Sequence, residues 1–186
     1  MLRGPLLFTL AFFVFTWGDA HGRGRAEAQA GRDAGQARVP DPQASAEPRP
    51  SPDTAQEAAQ RLFQAIVHDD PRRAADAFFP RAAFSQVKAM QKPERYYDKL
   101  YARFVEDIHR LHRDTPELAQ AEFIELMLGH RGGWVRPGEE GNRLPYWAAR
   151  HTTLRYRVGD QVRSLEVRVL ITWQQRWYII HLREFH

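Results

Sequence analysis

One histidine near the carboxyl end of the chain is the first candidate for chemistry. His181 is the ionisable side chain of an otherwise apolar run, because Ile179, Ile180 and Leu182 surround it. An imidazole titrates near neutral pH, so an inward-facing His181 is a candidate general base. The alternative is a histidine at the edge of the core that makes one hydrogen bond.

A second group of polar side chains lies at the start of a long predicted helix. Tyr97 and Tyr101 fall on the apolar stripe of this helix, so we expect them to point toward any interior cavity. A buried tyrosine hydroxyl needs a partner, so it either polarises a substrate carbonyl or bonds to the backbone. Asp98 lies between the two tyrosines and is an alternative base to His181.

Aromatic residues and an arginine flank a loop rich in glycine and proline. They are Trp134, Arg136, Tyr146 and Trp147. A set of this kind can line a mouth that binds an apolar or anionic small molecule, and we predict these four as ligand-binding residues. The alternative is that the large rings fill the core.

The sequence predicts no metal centre and no cofactor. His109 and His112 are three residues apart on one helix, a spacing that two metal ligands could use, but no third ligand is identifiable. The chain has no cysteine, which excludes disulfides, thiolate metal sites and cysteine nucleophiles. The sequence also has no glycine-rich phosphate loop, nucleophile elbow, HExxH motif or carboxylate-rich calcium loop.

The charge distribution argues against nucleic acid as a partner. The chain of 186 residues has a formal net charge of +4, but its basic residues are scattered among acidic ones rather than gathered in a stripe. With 43% hydrophobic and 12% aromatic residues, the composition is not that of a fully disordered chain.

The first 20 residues predict a secretory signal peptide. Arg3 supplies the positive charge, an uncharged apolar run follows, and Gly18-Asp19-Ala20 places small residues at the cleavage positions. Residues 21–52 predict a disordered linker rich in Ala, Pro and Arg, and residues 53–186 a globular domain. We expect export to a bacterial periplasm or beyond, with no stable membrane span after cleavage. The alternative is an uncleaved N-terminal anchor.

Helices are predicted in the first half of the globular domain. A capping box from Thr54 to Glu57 opens the first helix, and Asp70-Pro71 opens a short second one. The residues that the short helix should bury are Ala74, Ala75, Phe78 and Phe79. Phe84 and Val87 follow in an irregular turn. The longest helix runs from Pro93 to about Arg113. Residues 117–128 predict a last helix, although the AEFIELML stretch within them also fits a strand.

Residues 151–182 predict three consecutive antiparallel strands. A two-residue turn at Gly159-Asp160 places Leu154 opposite Leu165 and Thr152 opposite Val167, so that the apolar faces of the two strands coincide.

The second turn of this sheet is left open by the sequence. A three-residue loop around Gln175 places Ile179 and His181 on the core face. A two-residue loop instead places Tyr178, Ile180 and Leu182 there, because successive side chains of a strand point to opposite faces.

The order of these elements resembles that of the NTF2-like superfamily, which includes SnoaL-like proteins and ketosteroid-isomerase-like enzymes. Residues 58–84 and 165–182 carry the resemblance. It implies an α+β fold in which a curved antiparallel sheet wraps around N-terminal helices, an NTF2-like or cystatin-like cone with a pocket at its open end. It implies no single function. The pocket Asp and Tyr of that superfamily's isomerase-type enzymes have no matching motif in this chain.

The resulting functional prediction is an exported, non-catalytic NTF2-like domain that binds a small apolar ligand or a protein partner. The exposed face of the sheet is a candidate homodimer surface. The alternative is a small enzyme of isomerase, cyclase or hydrolase type. In that case Tyr97 or Tyr101 would donate a hydrogen bond, and His181 or Asp98 would act as base.

Overall fold

The structure is a computed structural model that describes residues 46–183. It confirms the predicted α+β class, with N-terminal helices followed by a curved antiparallel sheet. The helices are α1 (Asp53–Val67), α2 (Arg81–Val87) and α3 (Pro93–Asp114). The strands are β1 (Glu122–Met127), β2 (Arg131–Val135), β3 (Tyr146–Val158), β4 (Gln161–Trp173) and β5 (Arg176–His181). Short 3-10 helices span Pro71–Ala77, Pro116–Gln120 and Glu139–Gly141.

Helix α1 does not use the predicted capping box. It begins at Asp53, directly after Pro52, and no side chain caps it. The Thr54 hydroxyl instead accepts the backbone N–H of Trp177 at 3.0 Å, which ties the start of α1 to β5. The apolar face is buried as predicted, through Ala59, Leu62, Phe63 and Ile66.

The segment between α1 and α3 is more helical than predicted. Asp70 caps the short helix that Pro71 opens, but this helix is of the 3-10 type and leaves Ala75 exposed. The irregular turn predicted around Phe84 and Val87 is wrong. These two residues lie one turn apart on α2 and are both buried, so a helix places them on the same covered face.

The long helix α3 has the predicted extent and the predicted buried stripe. It begins at Pro93, and Leu100, Phe104 and Ile108 are buried along it. Most of its polar positions lie on the solvent side, as the 3.6-residue period requires, but Asp107 is buried beside Ile108.

The helix predicted for residues 117–128 is wrong. Its second half forms β1, the alternative that the sequence left open, and β1 pairs antiparallel with β3. The exposed edge of β1 is closed by Gln56 of α1. Its side chain donates to the Leu126 carbonyl at 2.6 Å and accepts the Leu126 N–H at 2.7 Å. The local pattern of this segment fits a helix as well as a strand, and its pairing with β3 determines that it is a strand.

The sheet has the order β1-β3-β4-β5, and β2 also pairs with β3. The predicted register between β3 and β4 is confirmed, since Leu154 pairs with Leu165 and Thr152 with Val167. Gly159 has the positive φ of 56° that the two-residue turn requires. β3 begins at Tyr146, earlier than predicted.

The second turn is the two-residue alternative, but its predicted consequence for His181 is wrong. Trp173 pairs with Arg176, and both residues of the loop have positive φ. Farther along, Leu170 pairs with Ile179 whereas Val169 pairs with His181, so Ile180 is an extra residue in β5. This bulge turns His181 to the face of Val169, which strict alternation does not allow.

The two ends of the sheet are covered differently. Near the turn between β3 and β4, one face is buried and the other is charged, with Arg155 bonded to Glu125 at 2.6 Å. At the opposite end both faces are buried, because the consecutive residues Leu170, Ile171 and Thr172 of β4 are all inaccessible.

The N-terminal predictions fall mostly beyond the described part of the chain. The predicted signal peptide and residues 21–45 of the predicted linker lie outside the described residues. Residues 46–52 are described. They lie against the sheet and Pro50 among them is buried. None of the helices between residues 46 and 183 has the length and apolar character that a membrane span requires.

Candidate functional site

A cavity of about 140 Å³ lies at the end of the sheet where both faces are covered. Lys88 reaches it from the residue after α2, Tyr146 and Arg150 from the first five residues of β3, and His181 from the end of β5. Glu140 reaches it from the loop before β3. The apolar part of the lining consists of Phe84, Met90, Tyr96, Leu100, Val169, Ile171 and Ile180.

Three of these polar groups form one hydrogen-bonded chain. The Lys88 ammonium donates to the Tyr146 hydroxyl at 3.0 Å, and that hydroxyl donates to Glu140 Oε2 at 2.9 Å. Lys88 Nζ also donates to the Glu140 backbone carbonyl at 3.3 Å. An ammonium has three N–H groups, so these two contacts leave one for a ligand.

Glu140 is held in an uncommon backbone conformation. Its φ is 53°, and the flanking Gly138 and Gly141 also have positive φ. Its second carboxylate oxygen, Oε1, forms an ion pair with Arg150. Left-handed backbone at a non-glycine residue costs free energy and is concentrated at functional sites, where surrounding contacts maintain it.

Burial and mutual repulsion shift the titration of the cavity's basic groups. Burial lowers the pKa of Lys88, and the charge of Arg150 acts in the same direction, while the Glu140 carboxylate opposes it. Burial also lowers the pKa of His181, with smaller contributions from Lys88 and Arg150. His181 is therefore a neutral imidazole at pH 7. Burial, and next the Glu140 carboxylate, raise the pKa of Tyr146, so its phenol keeps its proton.

The structure places His181 in this cavity but the predicted tyrosines elsewhere. The lining includes neither Tyr97 nor Tyr101. Their rings stack on each other with centroids 6.3 Å apart and meet the edge of Phe78. Asp98 is exposed and forms an ion pair with Arg81, whose hydrogen bonds lower the pKa of this carboxyl group.

The predicted aromatic set lies mainly around a second cavity, of about 250 Å³. Trp134 and Trp147 are directly opposite each other on β2 and β3, with ring centroids 5.6 Å apart, and both line it. Tyr146 lines both cavities. Arg136 lines neither, and its backbone N–H donates to the Glu139 side chain at 2.8 Å.

The two helical histidines connect α3 to the end of α1. His109 Nδ1 lies 2.6 Å from Asp69 Oδ1, and His112 Nδ1 lies 2.8 Å from the Ile66 carbonyl oxygen. Within the described range, 46–183, no group of three or more His, Cys, Asp or Glu side chains is arranged to hold a metal ion.

Sequence reasoning missed Lys88, Glu140 and Arg150. They come from three separate elements, and each is a common surface residue type with no motif around it. The available signal was the Pro137-Gly-Glu-Glu-Gly141 stretch, because glycines on both sides of paired acids indicate a forced backbone turn.

Comparisons with known proteins assign no family to the chain. No known protein family matches it, and no curated protein does. Among solved structures it is similar to a cystatin-like protein from Ruminococcus gnavus, with 16% sequence identity and a TM-score of 0.49. The match covers 69% of this chain and 40% of that one, so this chain spans less than half of the matched protein.

Proposed function

We propose that this protein is an exported, non-catalytic NTF2-like domain that binds a small molecule in the cavity shared by Lys88, Tyr146, Arg150 and His181. The ligand has an apolar body and one anionic group. The observation that carries the proposal is the convergence of these basic and hydroxyl groups on a cavity whose remaining lining is apolar except for Glu140. Export rests on the N-terminal sequence, and the superfamily on the order of helices and strands.

The size of the cavity supports a ligand with a single ring. A cavity of about 150 Å³ lined by apolar side chains accepts benzene. The present cavity of about 140 Å³ adds polar groups on one side. Apolar walls with a few placed polar groups are the usual composition of a small-molecule site.

The charges around the cavity support an anionic group on the ligand. Lys88 and Arg150 are cations, Glu140 is an anion, and His181 is neutral, which leaves one excess positive charge. A carboxylate on the ligand balances this charge and accepts the remaining N–H of Lys88.

A pair of probes of equal shape tests this proposal. Isothermal titration of the full chain with benzoate and with neutral benzamide should show at least about tenfold tighter binding of benzoate, because only benzoate pairs with the half-buried Lys88 ammonium. Lys88→Met should abolish the preference. Lys99→Met changes an exposed lysine of α3 and should keep it. Equal binding of the two probes, or binding of neither, would refute the proposal.

The catalytic alternative is favoured by one observation, since neutral His181 lines the same cavity as Lys88, whose ammonium keeps one N–H after its bonds to Tyr146 and Glu140. A base and a hydrogen-bond donor in one cavity could remove a proton next to a carbonyl. Exchange of the methyl protons of acetophenone in D₂O distinguishes the two functions. Faster exchange with the native chain than with His181→Gln indicates an isomerase-type enzyme, whereas no acceleration by either supports a binding domain.

The homodimer predicted through the sheet remains a proposal of its own. Its candidate surface, the exposed face near the turn between β3 and β4, carries ion pairs such as Arg155–Glu125 and Arg157–Glu122. A dimer through this face would be held by charges rather than by apolar contact. Its dissociation constant, measured by analytical ultracentrifugation, should therefore rise with salt concentration.

A further inference from the structure

Residues 46–52, here called the strap, pass over two tryptophans of the sheet. The segment has the sequence AEPRPSP, and residues 46–51 lie outside any helix or strand. The Trp147 indole N–H donates to the Glu47 carbonyl at 2.9 Å, and the Trp177 indole N–H donates to the Pro50 carbonyl at 3.4 Å. Both tryptophans thus bind backbone carbonyls of the strap, and these two hydrogen bonds do not depend on the identity of its side chains.

The side chain between these carbonyls adds a contact to each indole ring. The guanidinium carbon of Arg49 lies 5.9 Å from the ring centroid of Trp147 and 5.3 Å from that of Trp177. Both distances are within the range of cation–π attraction, and Pro50 is buried next to this arginine.

The spacing of the two tryptophans matches one turn of polyproline II helix. Thr172 of β4 pairs with Trp177 of β5, and its hydroxyl accepts the Trp147 backbone N–H at 2.9 Å, so the tryptophans flank it from the two neighbouring strands. Strands two apart are separated by about 9.6 Å. Three residues of polyproline II rise about 9.3 Å and bring carbonyls i and i+3 to the same side. Glu47 and Pro50 have this separation in sequence.

We propose that Trp147 and Trp177 form a binding site for proline-rich segments in polyproline II conformation. The strap is the resident occupant, and a segment of another polypeptide with an arginine between two prolines binds in its place. Proline suits such a site because its φ is already fixed, so little conformational entropy is lost on binding. An aromatic groove that holds a preformed polyproline II helix is an established mode of peptide recognition.

The groove has room beyond the strap. The cavity of about 250 Å³ beside Glu47 and Pro50 is lined by Trp134, whose buried indole N–H finds no acceptor among residues 46–183. An incoming segment longer than the strap can extend into this cavity and contact the Trp134 side chain.

The strap should act as an intramolecular competitor. A segment joined to its site by a short connection has an effective concentration of roughly millimolar, so a peptide added in solution binds the native chain only weakly. Weakening the strap should therefore raise the apparent affinity for an external peptide. This inference does not depend on the small-molecule site proposed above.

The test uses a peptide with the strap's own sequence and a strap-weakened variant of the full chain. Fluorescein-labelled AEPRPSPD should bind the double variant Arg49→Ala/Pro50→Ala at least about tenfold more tightly than the native chain, measured by fluorescence anisotropy. The control peptide AEARASAD, which lacks the three prolines, should bind neither. The single variant Arg49→Ala removes only an exposed side chain and should show a smaller gain, so the test does not depend on the folding of the double variant.

Substitutions in the groove locate the binding. Trp147→Phe in the strap-weakened background keeps an aromatic ring but removes the N–H donor, and it should weaken peptide binding at least about tenfold. In proton–nitrogen spectra, the peptide should shift the indole signals of Trp147 and Trp177. Failure of AEPRPSPD to bind any strap-weakened variant, or equal binding of the proline-free peptide, would overturn the proposal.

Discussion

The two ends of the sheet differ in how many of their faces are covered. Near the turn between β3 and β4, Leu154 is buried while its neighbour Arg155 is partly exposed and bonded to Glu125. At the other end, Leu170 and Ile171 are neighbours in β4 and both are buried. Alternation of apolar and polar residues is therefore a property of the half-covered end alone.

Backbone irregularities mark the change from one end to the other. His151 in β3 has a φ of 54°, and the extra residue Ile180 lies in β5 near Val169. Beyond them the strands carry Tyr146, Arg150 and His181 to the lining of the cavity of about 140 Å³. At one end the sheet packs on the helices with a single face, and at the other end its side chains line a cavity. The bulges change the direction in which side chains of the same strand point, so one strand serves both purposes.

The largest expected effect contrasts the two ends directly. Leu170→Ala should lower the free energy of unfolding by about 2–5 kcal/mol, because the side chain is fully enclosed. Leu165→Ala, at the half-covered end, should lower it by less than about 2 kcal/mol. Urea unfolding of both variants gives the comparison. Equal losses would mean that the ends do not differ in packing.

The next effect concerns the bond that ties α1 to the covered end. Thr54→Val keeps the shape of the side chain but removes the acceptor of the Trp177 N–H, and should cost about 1–3 kcal/mol of unfolding free energy. Thr153→Val, on the half-covered part of β3, is the matched control and should change stability by less than about 0.5 kcal/mol. A Thr54 variant as stable as the native chain would show that this bond contributes nothing.

The pH dependence of the unfolding free energy tests the burial of His181 at the covered end of the sheet. Burial lowers the pKa of His181, so below about 6.5 the unfolded chain takes up a proton that the folded chain does not. Stability should therefore fall as the pH is lowered from about 6.5, with a slope of at most about 1.4 kcal/mol per pH unit for one proton. His181→Gln should flatten this part of the curve, whereas the exposed control His130→Gln should not. Unchanged slopes in both variants would contradict the burial of this imidazole.

The smallest effect is expected at the charged face. A double-mutant cycle on Glu125 and Arg155, which are directly opposite each other, should give a coupling of about 0.2–1 kcal/mol that decreases with added salt. The pair Glu122–Arg157, with its charged atoms 3.9 Å apart, should couple less. A salt-independent coupling above this range would indicate that the face is less solvated than its exposure implies.

Helices and strands that are specified by residues close in sequence could be predicted, and those that depend on contacts between distant segments could not. The register of β3 and β4 was predictable because Gly159 fixes the turn and one face of each strand is apolar. Helix α3 was predictable because its apolar stripe has a 3.6-residue period over many turns. β1 was assigned to a helix because the spacing of its apolar residues satisfies both structures, and only its pairing with β3 and the side chain of Gln56 decides between them.

The candidate site was predictable only in part. His181 was singled out as an ionisable group among apolar neighbours, and Tyr146 as one of the aromatic residues beside the loop rich in glycine and proline. Lys88, Glu140 and Arg150 were not, because their significance arises from distances between elements that no spacing along the chain encodes. The two-residue form of the second turn could not be chosen from the sequence, because the turn has glutamines at positive φ where glycine or asparagine is usual. The bulge at Ile180 could not be foreseen either, because it arises where β5 pairs with β4.

The strap also determines how mechanical load enters the domain. A force applied to the chain on the N-terminal side of residue 46 first loads the contacts of Glu47, Arg49 and Pro50 with the two indoles, and it reaches α1 along the backbone only after these contacts have broken. These contacts are loaded one after another, so they should rupture by peeling at low force before the bond between Thr54 and Trp177 is strained. The released strap would then extend under tension while the sheet keeps its hydrogen bonds.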